Sequence, residues 1–314
     1  MLDASAREIR YLRLSVTDLC NYRCRYCMPE RGVEKGPHGA VLSVEECVEM
    51  AAAAVECGVR KIRLTGGEPL IRRGILDICR GIAAIPGVEE LCLTTNGALL
   101  PAMAEPLRQA GVQRLNISLD TLRPDRFAAI TRRGSLAEAW AGIRAAEDAG
   151  FSALKLNVVL MGGVNDDEIG DFVALTEQHP WEVRFIELMP MGECAGWDKN
   201  RFLGADTVLE RCPALQPLDV SGVARRYALP DAAGTVGLIE PLSHRFCAGC
   251  DRIRITAAGC LKPCLHAPLE IPLRGLHGEA LRQAIRQGIA AKPQEHHLER
   301  GGSEAGRRMH EIGG

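Results

Sequence analysis

Three cysteines stand within eight residues of the stretch TDLCNYRCRYCMP: Cys20, Cys24 and Cys27. Thiolates three and four residues apart can converge on one metal centre, and three readings compete for them. A closed structural zinc site asks for a fourth Cys or His close by, and none lies between Cys27 and His38. Three unrelated buried thiols would not be expected in a loop interleaved with Asn21, Arg23, Arg25 and Tyr26. A four-iron cluster with one iron left without a protein ligand accounts for both the triplet and its missing partner. A second group lies far downstream, in CAGCDRIRITAAGCLKPC: Cys247, Cys250, Cys260 and Cys264. Four thiolates in that order suit a zinc ribbon about as well as a cluster. Arg252 and Arg254 sit between them at alternate positions of a short strand, so both side chains point to one face. Two guanidinium groups beside a metal suggest an anionic ligand.

The elements that must carry these groups alternate along the chain. SVEECVEMAAAAVECG opens with a capping box, Ser43 and Glu46, and closes on Gly58. RKIRLTGGEP follows as a strand ending in a glycine turn, and ELCLTTNG, QRLNISLD, ALKLNVVLMGG and EVRFIELMP repeat the pattern, each after a helical segment. With YLRLSVT at the start, six strands joined by helices are expected between about residues 10 and 190. This predicts an α/β fold with a parallel sheet, open or closed into a barrel. Gly and polar residues collect where the strands end, which is where such sheets place their sites. After Trp197 the alternation stops, and residues 198–246 show few clear elements, so a division into 1–197 and 198–314 is expected. The final HHLERGGSEAGRRMHEIGG is polar and glycine-rich and reads as a mobile tail.

Bulk properties exclude several classes. The formal net charge of −2 argues against a nucleic-acid coat or a membrane-surface protein. No apolar run approaches the ~20 residues that span a bilayer, and the N-terminal MLDASAREIR has no apolar signal core. A cytoplasmic protein is therefore expected, in which 13 cysteines, an odd number, do not form a disulfide framework. The 32 Arg against 6 Lys fit a GC-rich genome better than any one binding role. Cys47, Cys57, Cys79 and Cys92 have apolar neighbours and read as ordinary buried thiols, while Cys194 and Cys212 receive no role.

CNYRCRYC, with the aromatic Tyr26 before its last cysteine, resembles the signature of the radical S-adenosylmethionine (SAM) enzymes, and LTGGEP at residues 64–69 resembles their second-strand glycine motif. That resemblance implies that SAM chelates the fourth iron through its amino and carboxylate groups. Over nearly the whole chain the likeness narrows to the GTP 3′,8-cyclase family of molybdenum cofactor biosynthesis, through LRLSVTD, CNYRCRYCMP, KIRLTGGEPL, TTNG, NISLDTL, KLNVV, RFIELMP, the spacing C-x₂-C-x-R-x-R…C and the terminal GG. It implies a partial TIM-type barrel of about six βα units, its mouth closed by a C-terminal iron–sulfur extension. Two [4Fe–4S] clusters follow, the first on Cys20, Cys24 and Cys27, the second on Cys247, Cys250 and Cys264, with an open iron that binds guanine. Cys260 stands where a polar or basic residue is usual, and Leu19 replaces a common Arg.

By the same resemblance, GTP is the substrate, contacted by Arg13, Arg63, Lys155 and Arg184, with Arg252 and Arg254 near the second cluster. SAM is contacted by Tyr26, Gly67, Thr94, Ser118 and Met189. Arg13, Arg252, Arg254 and a Gly313–Gly314 tail inserted toward the active site belong to the reaction centre. Singly, each cation also reads as a solvated strand end, and Thr94, Ser118, Asn96 and Asp120 as local turn residues. No G-x₄-G-K-[ST] occurs, so side-chain cations rather than a phosphate-binding loop would hold the triphosphate. The implied reaction joins C3′ of the ribose to C8 of the guanine by radical chemistry. The implied partners are an electron-donor protein and the downstream cyclic pyranopterin monophosphate synthase, with neither nucleic acid nor membrane; a homodimer is left open. Two rivals stand beside this reading: a radical SAM enzyme acting on a peptide, and a zinc-binding interaction module.

Overall fold

Each leucine-, isoleucine- and valine-rich run becomes a strand: β1 (Tyr11–Ser15), β2 (Lys61–Thr65), β3 (Glu90–Thr95), β4 (Arg114–Ser118), β5 (Lys155–Leu160) and β6 (Glu182–Glu187). These six, in the order of the sequence, pair in parallel, as the alternation predicts. The computed structural model describes residues 1–34, 36, 38–220, 222–298 and 302–313. Helices α1 (Val44–Glu56), α2 (Ile75–Ala83), α3 (Leu100–Gln109), α4 (Pro124–Thr131), α5 (Leu136–Asp148) and α6 (Ile169–Gln178) make the crossovers that parallel pairing requires. The start of α1 is the capping box read from the sequence: Ser43 Oγ accepts from the Glu46 N–H at 3.1 Å, and Glu46 Oε2 accepts from the Ser43 N–H at 2.7 Å. Gly58 follows the helix end with φ +104°, a left-handed value that glycine adopts without strain.

The expectation for residues 198–246 needs correction. They contain α7 (Thr207–Arg211), β7 (Gln216–Pro217), β8 (Ala224–Ala228) and β9 (Thr235–Ile239). β9 runs parallel to β6 and extends the main sheet, with β8 and β7 antiparallel beyond it. β10 (Arg252–Ile255) adds to the other flank, parallel to β1, followed by antiparallel β11 (Cys260–Lys262) and β12 (Ile271–Pro272). Apart from β10, the short strand read at Arg252 and Arg254, these strands escape the sequence pattern because they are short, and because only Ala224 and Tyr227 of ARRYA are buried. The C-terminal chain therefore widens the sheet at both edges, giving twelve strands with β12 and β7 at the ends and no pairing between them. The sheet is an open, partial barrel. Helices α8 (Gly278–Ala290) and α9 (Met309–Ile312) complete the described elements.

Period-two alternation sorts the two faces of the sheet. Leu12, Leu14, Ile62, Leu64, Leu91, Leu93, Leu115 and Ile117 are fully or almost fully buried and join the apolar core shared with the helices. Their neighbours on the inner face are Arg13, Arg63, Asn116, Lys155 and Arg184. A polar interior is thus an outcome of the same alternation that builds the core.

Candidate active site

The first cysteine loop leaves the C-terminal end of β1 and is fastened to the ends of three other elements. The Gly67 N–H donates to Thr17 O and the Glu68 N–H to Leu19 O, both at 2.8 Å. A Cβ on Gly67 would stand 2.2 Å from Leu19 O, so the GGEP turn can lie against this loop only as glycine. Asn96, after β3, donates from Nδ2 to Asn21 Oδ1 at 2.8 Å, and Tyr26 donates its hydroxyl proton to Asp120 after β4 at 2.7 Å. Arg132, past the end of α4, reaches the carbonyls of Arg23 and Met28. Asn96 and Asp120, read from the sequence as plain turn residues, thus anchor the cysteine loop. Burial raises the Asp120 carboxyl to about 6 against the hydrogen bonds from Val159 and Tyr26. Burial likewise takes Glu68 to about 7, although it accepts from Asn96, Leu70 and Thr95.

Register then lines up the cations. Arg13 on β1 is level with Arg63 on β2 and with Arg254 on β10, and Tyr11 is level with Lys61 and Arg252. Lys155 on β5 is level with Asn116 and with Glu182, and Arg184 with Asn157. Burial, then the neighbouring Arg254, depresses Arg13 strongly. Burial, with Arg252 beside it, takes Arg254 to about 10. Lys155 falls to about 8 through burial and Arg184, even with Glu182 holding it up. Both Lys155 Nζ and Arg184 Nε bond to Glu182, at 2.5 Å each. Arg13 Nε, Arg252 Nε, Asn116 Oδ1 and Asn157 Oδ1 are buried without a hydrogen-bond partner among the described residues. Crowded cations of reduced basicity and orphaned polar atoms on one inner face suit a polar, polyanionic ligand.

The second cysteine group borders this row. Cys247 and Cys250 precede β10, and the antiparallel return of β11, with Arg254 opposite Lys262, carries Cys264 back toward them. Cys260 lies at the turn of that hairpin, where its N–H donates to Thr256 Oγ1. The Cys247 thiol is raised by burial and also by the nearby Cys264 and Cys250. Lys292 Nζ donates to Arg252 O and Pro263 O at 2.8 Å, and Arg7 Nη1 to Cys247 O at 2.8 Å, locking the loop from behind.

The tail is not the mobile segment its composition suggests. Arg307 pairs with Glu270 at 2.6 Å, buried His310 meets Cys27 O at 3.1 Å, and Arg254 Nη1 donates to Gly313 O at 2.6 Å. Gly314 lies outside the described residues.

Both groups of thiols suit iron–sulfur clusters better than single zinc ions. A tetrahedral zinc with Zn–S bonds of ~2.3 Å gathers its sulfurs within about 4 Å of one another. Among the described residues, the trio of metal-binding side-chain atoms gathered within 4.8 Å is Asp206, Glu240 and His244, so neither cysteine group is drawn in that tightly. Arg225 already pairs with both acids of that trio. Burial holds Cys20 up at about 11 and Cys27 at about 12, and raises Cys24 well above the ordinary thiol value. Iron would supply the positive charge that keeps them as thiolates. Of the SAM positions, Thr94, Ser118 and Met189 fall at or just after the ends of β3, β4 and β6. Arg63 Nη1 lies 3.5 Å from Thr94 Oγ1. Cys47, Cys57, Cys79 and Cys92 are buried, as read. Tyr11 and Glu182 were missed, yet each stands two residues before a recognised cation on the same strand face.

Residues 14–176 match the Radical SAM superfamily, and residues 181–298 match Molybdenum Cofactor Synthesis C. A crystal structure of Streptococcus suis SuiB bound to S-adenosylmethionine aligns with a TM-score of 0.60 at 12% identity, covering 92% of this chain and 65% of that one. At that identity the likeness speaks for the fold alone. The GTP 3′,8-cyclase of Alkaliphilus metalliredigens is 47% identical over 320 residues, and that of Pelotomaculum thermopropionicum 49% over 327, each covering 100% of both chains. No helix among the described residues is long and apolar enough to cross a membrane. With such identity over the whole length of both chains, the chain belongs to the GTP 3′,8-cyclase family.

Proposed function

We propose that this chain binds GTP between its two cysteine loops and converts it to 3′,8-cyclo-7,8-dihydro-GTP, an early step toward molybdopterin. The observation that carries this reading is the level row Arg254, Arg13 and Arg63 across β10, β1 and β2, bordered by the cysteine loop after β1 and the one before β10. Cys20, Cys24 and Cys27 would hold one [4Fe–4S] cluster, and Cys247, Cys250 and Cys264 the other; β11, which begins at Cys260 by the turn and runs back along β10 before Cys264, supports that choice. Bound there, a cluster with SAM would supply one-electron reductive cleavage of the sulfonium, given an electron from a donor, and so the radical chemistry that takes a ribose hydrogen. The chain's own residues position and shield the reactants. Arg13, Arg63, Lys155 and Arg184 hold the triphosphate by charge, and Glu182 keeps the last two oriented. Arg252 and Arg254 border the guanine side, and buried Ile312 and Gly313 exclude water at the other end, where Gly313 lies against Ser15 and Thr65 at the ends of β1 and β2. Tyr26, Gly67, Thr94, Ser118 and Met189 form the SAM side.

An electron-donor protein and a cyclic pyranopterin monophosphate synthase as the next enzyme are the partners this reading implies. The free state of all 13 cysteines supports a reducing, cytoplasmic setting. The test is anaerobic incubation with SAM, a reductant and GTP, followed by product analysis. Equal amounts of 5′-deoxyadenosine and cyclised nucleotide are expected. Unaltered GTP with about eight irons per chain in place would overturn the reading.

A further inference from the structure

We infer that Tyr11 is a substrate-binding residue, its hydroxyl accepting from Arg63 and donating to the polyphosphate of the bound nucleotide. This rests on GTP being the substrate. Tyr11 is 7% exposed and begins β1, two residues before Arg13 and on the same inner face. Arg63 Nε donates to its oxygen at 2.5 Å. The Arg252 guanidinium lies 5.6 Å from its ring centroid on one flank and Lys61 Nζ 5.2 Å on the other. The ring thus meets cations from both neighbouring strands, β2 and β10. No described residue accepts the hydroxyl's own proton, although buried tyrosines ordinarily find a partner. A donor left over among guanidinium groups faces the place where an anion would sit, and the anionic part of GTP is its triphosphate.

The charges around the ring give this contact a signature. Arg13 on the same strand, Arg63 and Lys61 on β2, Arg252 and Arg254 on β10 and Cys92 on β3 are the titratable groups facing it. Burial alone would raise the phenol; Arg63, Arg13 and Arg252 outweigh it and bring it down to about 8. Near pH 8 the free enzyme therefore holds a mixture of phenol and phenolate. An arriving triphosphate neutralises the guanidinium groups and needs a donor, so binding draws a proton onto Tyr11.

The experiment uses enzyme loaded anaerobically with both clusters, titrated calorimetrically with GTP and with guanosine at pH 8 in buffers of different ionisation enthalpy. Tyr11→Phe keeps the ring and its stacking. It is expected to weaken GTP binding about tenfold, to leave guanosine, SAM binding and iron content unchanged, and to lower the proton uptake. Lys155→Arg removes the other group that titrates near pH 8, and its GTP binding should still take up protons. Tyr11→Phe enzyme with wild-type GTP affinity and proton uptake would overturn the inference. So would equal weakening of GTP and guanosine, or a Lys155→Arg enzyme that takes up no protons. Wild-type enzyme that binds SAM but no GTP would instead sink the substrate reading, and this contact with it.

Discussion

Arg254 and Gly313, 59 residues apart in sequence, are joined by a 2.6 Å hydrogen bond from the guanidinium to the glycine carbonyl. The end of the chain is thereby built into the cation row. Gly313 has φ +89°, and a Cβ there would stand 2.4 Å from Thr65 Oγ1. Only glycine fits that approach.

Deleting Gly313 and Gly314 should leave both clusters and SAM binding intact while hydrogen abstraction from GTP falls by more than about tenfold, because ligand geometry displaced by ~1 Å costs that much or more. Gly313→Ala should show the same defect. Deuterium transfer from 3′-labelled GTP into 5′-deoxyadenosine measures it. Transfer at the full-length rate in both variants would reduce the tail to packing.

The β10–β11 hairpin separates two candidate ligands. Cys264→Ala is expected to lose about half the iron, one [4Fe–4S] cluster of two, together with GTP turnover. Cys260→Ala should retain it all, since Cys260 sits at the turn beside Thr256. Anaerobic iron analysis decides, and the reverse pattern would exchange the assignments.

Glu187 is 1% exposed and accepts backbone N–H groups from Ala205 at 3.1 Å, Leu242 at 2.7 Å and Ser243 at 3.1 Å. It ties the end of β6 to the segment leading into the second cysteine loop. Glu187→Ala strands the buried Ala205 N–H, at ~1–3 kcal/mol when unsatisfied, and frees the Leu242 and Ser243 N–H groups, which lie nearer solvent. We expect a loss of about 2 kcal/mol in denaturant unfolding. A loss below about 1 kcal/mol would mean that Glu187 contributes no more than a surface carboxylate.

Lys155 is depressed to about 8 by burial and by Arg184. Because its folded value lies below the unfolded one, the cost of burying its charge is fully present below pH 8. That cost is relieved as pH rises from 8 toward the ordinary 10.5. Binding runs the other way: as the ammonium is lost, affinity for triphosphate declines. KM for GTP should rise above pH 8, and Lys155→Arg, which stays charged, should make that rise shallower, leaving the part that Tyr11 carries. An identical pH profile in the variant would remove Lys155 from triphosphate binding.

The cysteine spacing, the glycine turn and the period-two strands were legible in the sequence because each is a local constraint. A turn needs its glycine, three thiols eight residues apart share a loop, and alternation assigns Arg13 and Leu12 to opposite faces wherever the strand pairs. The capping box at Ser43 and Glu46 was legible for the same reason. What tertiary structure alone decided is which residues end up level. Arg13, Arg63 and Arg254 form a row only through the register of β10, β1 and β2. β10 follows β1 by more than 230 residues, and no local pattern specifies that pairing. Strands β7 and β8 were missed since β7 is two exposed residues and β8 buries only Ala224 and Tyr227, while β9 takes its place in the sheet only by pairing with β6. The tail likewise reads as flexible by composition and is held by partners far away, Glu270, Cys27 and Arg254. Glu182 and Tyr11 acquire their roles in the same way: register surrounds them with cations contributed by other strands.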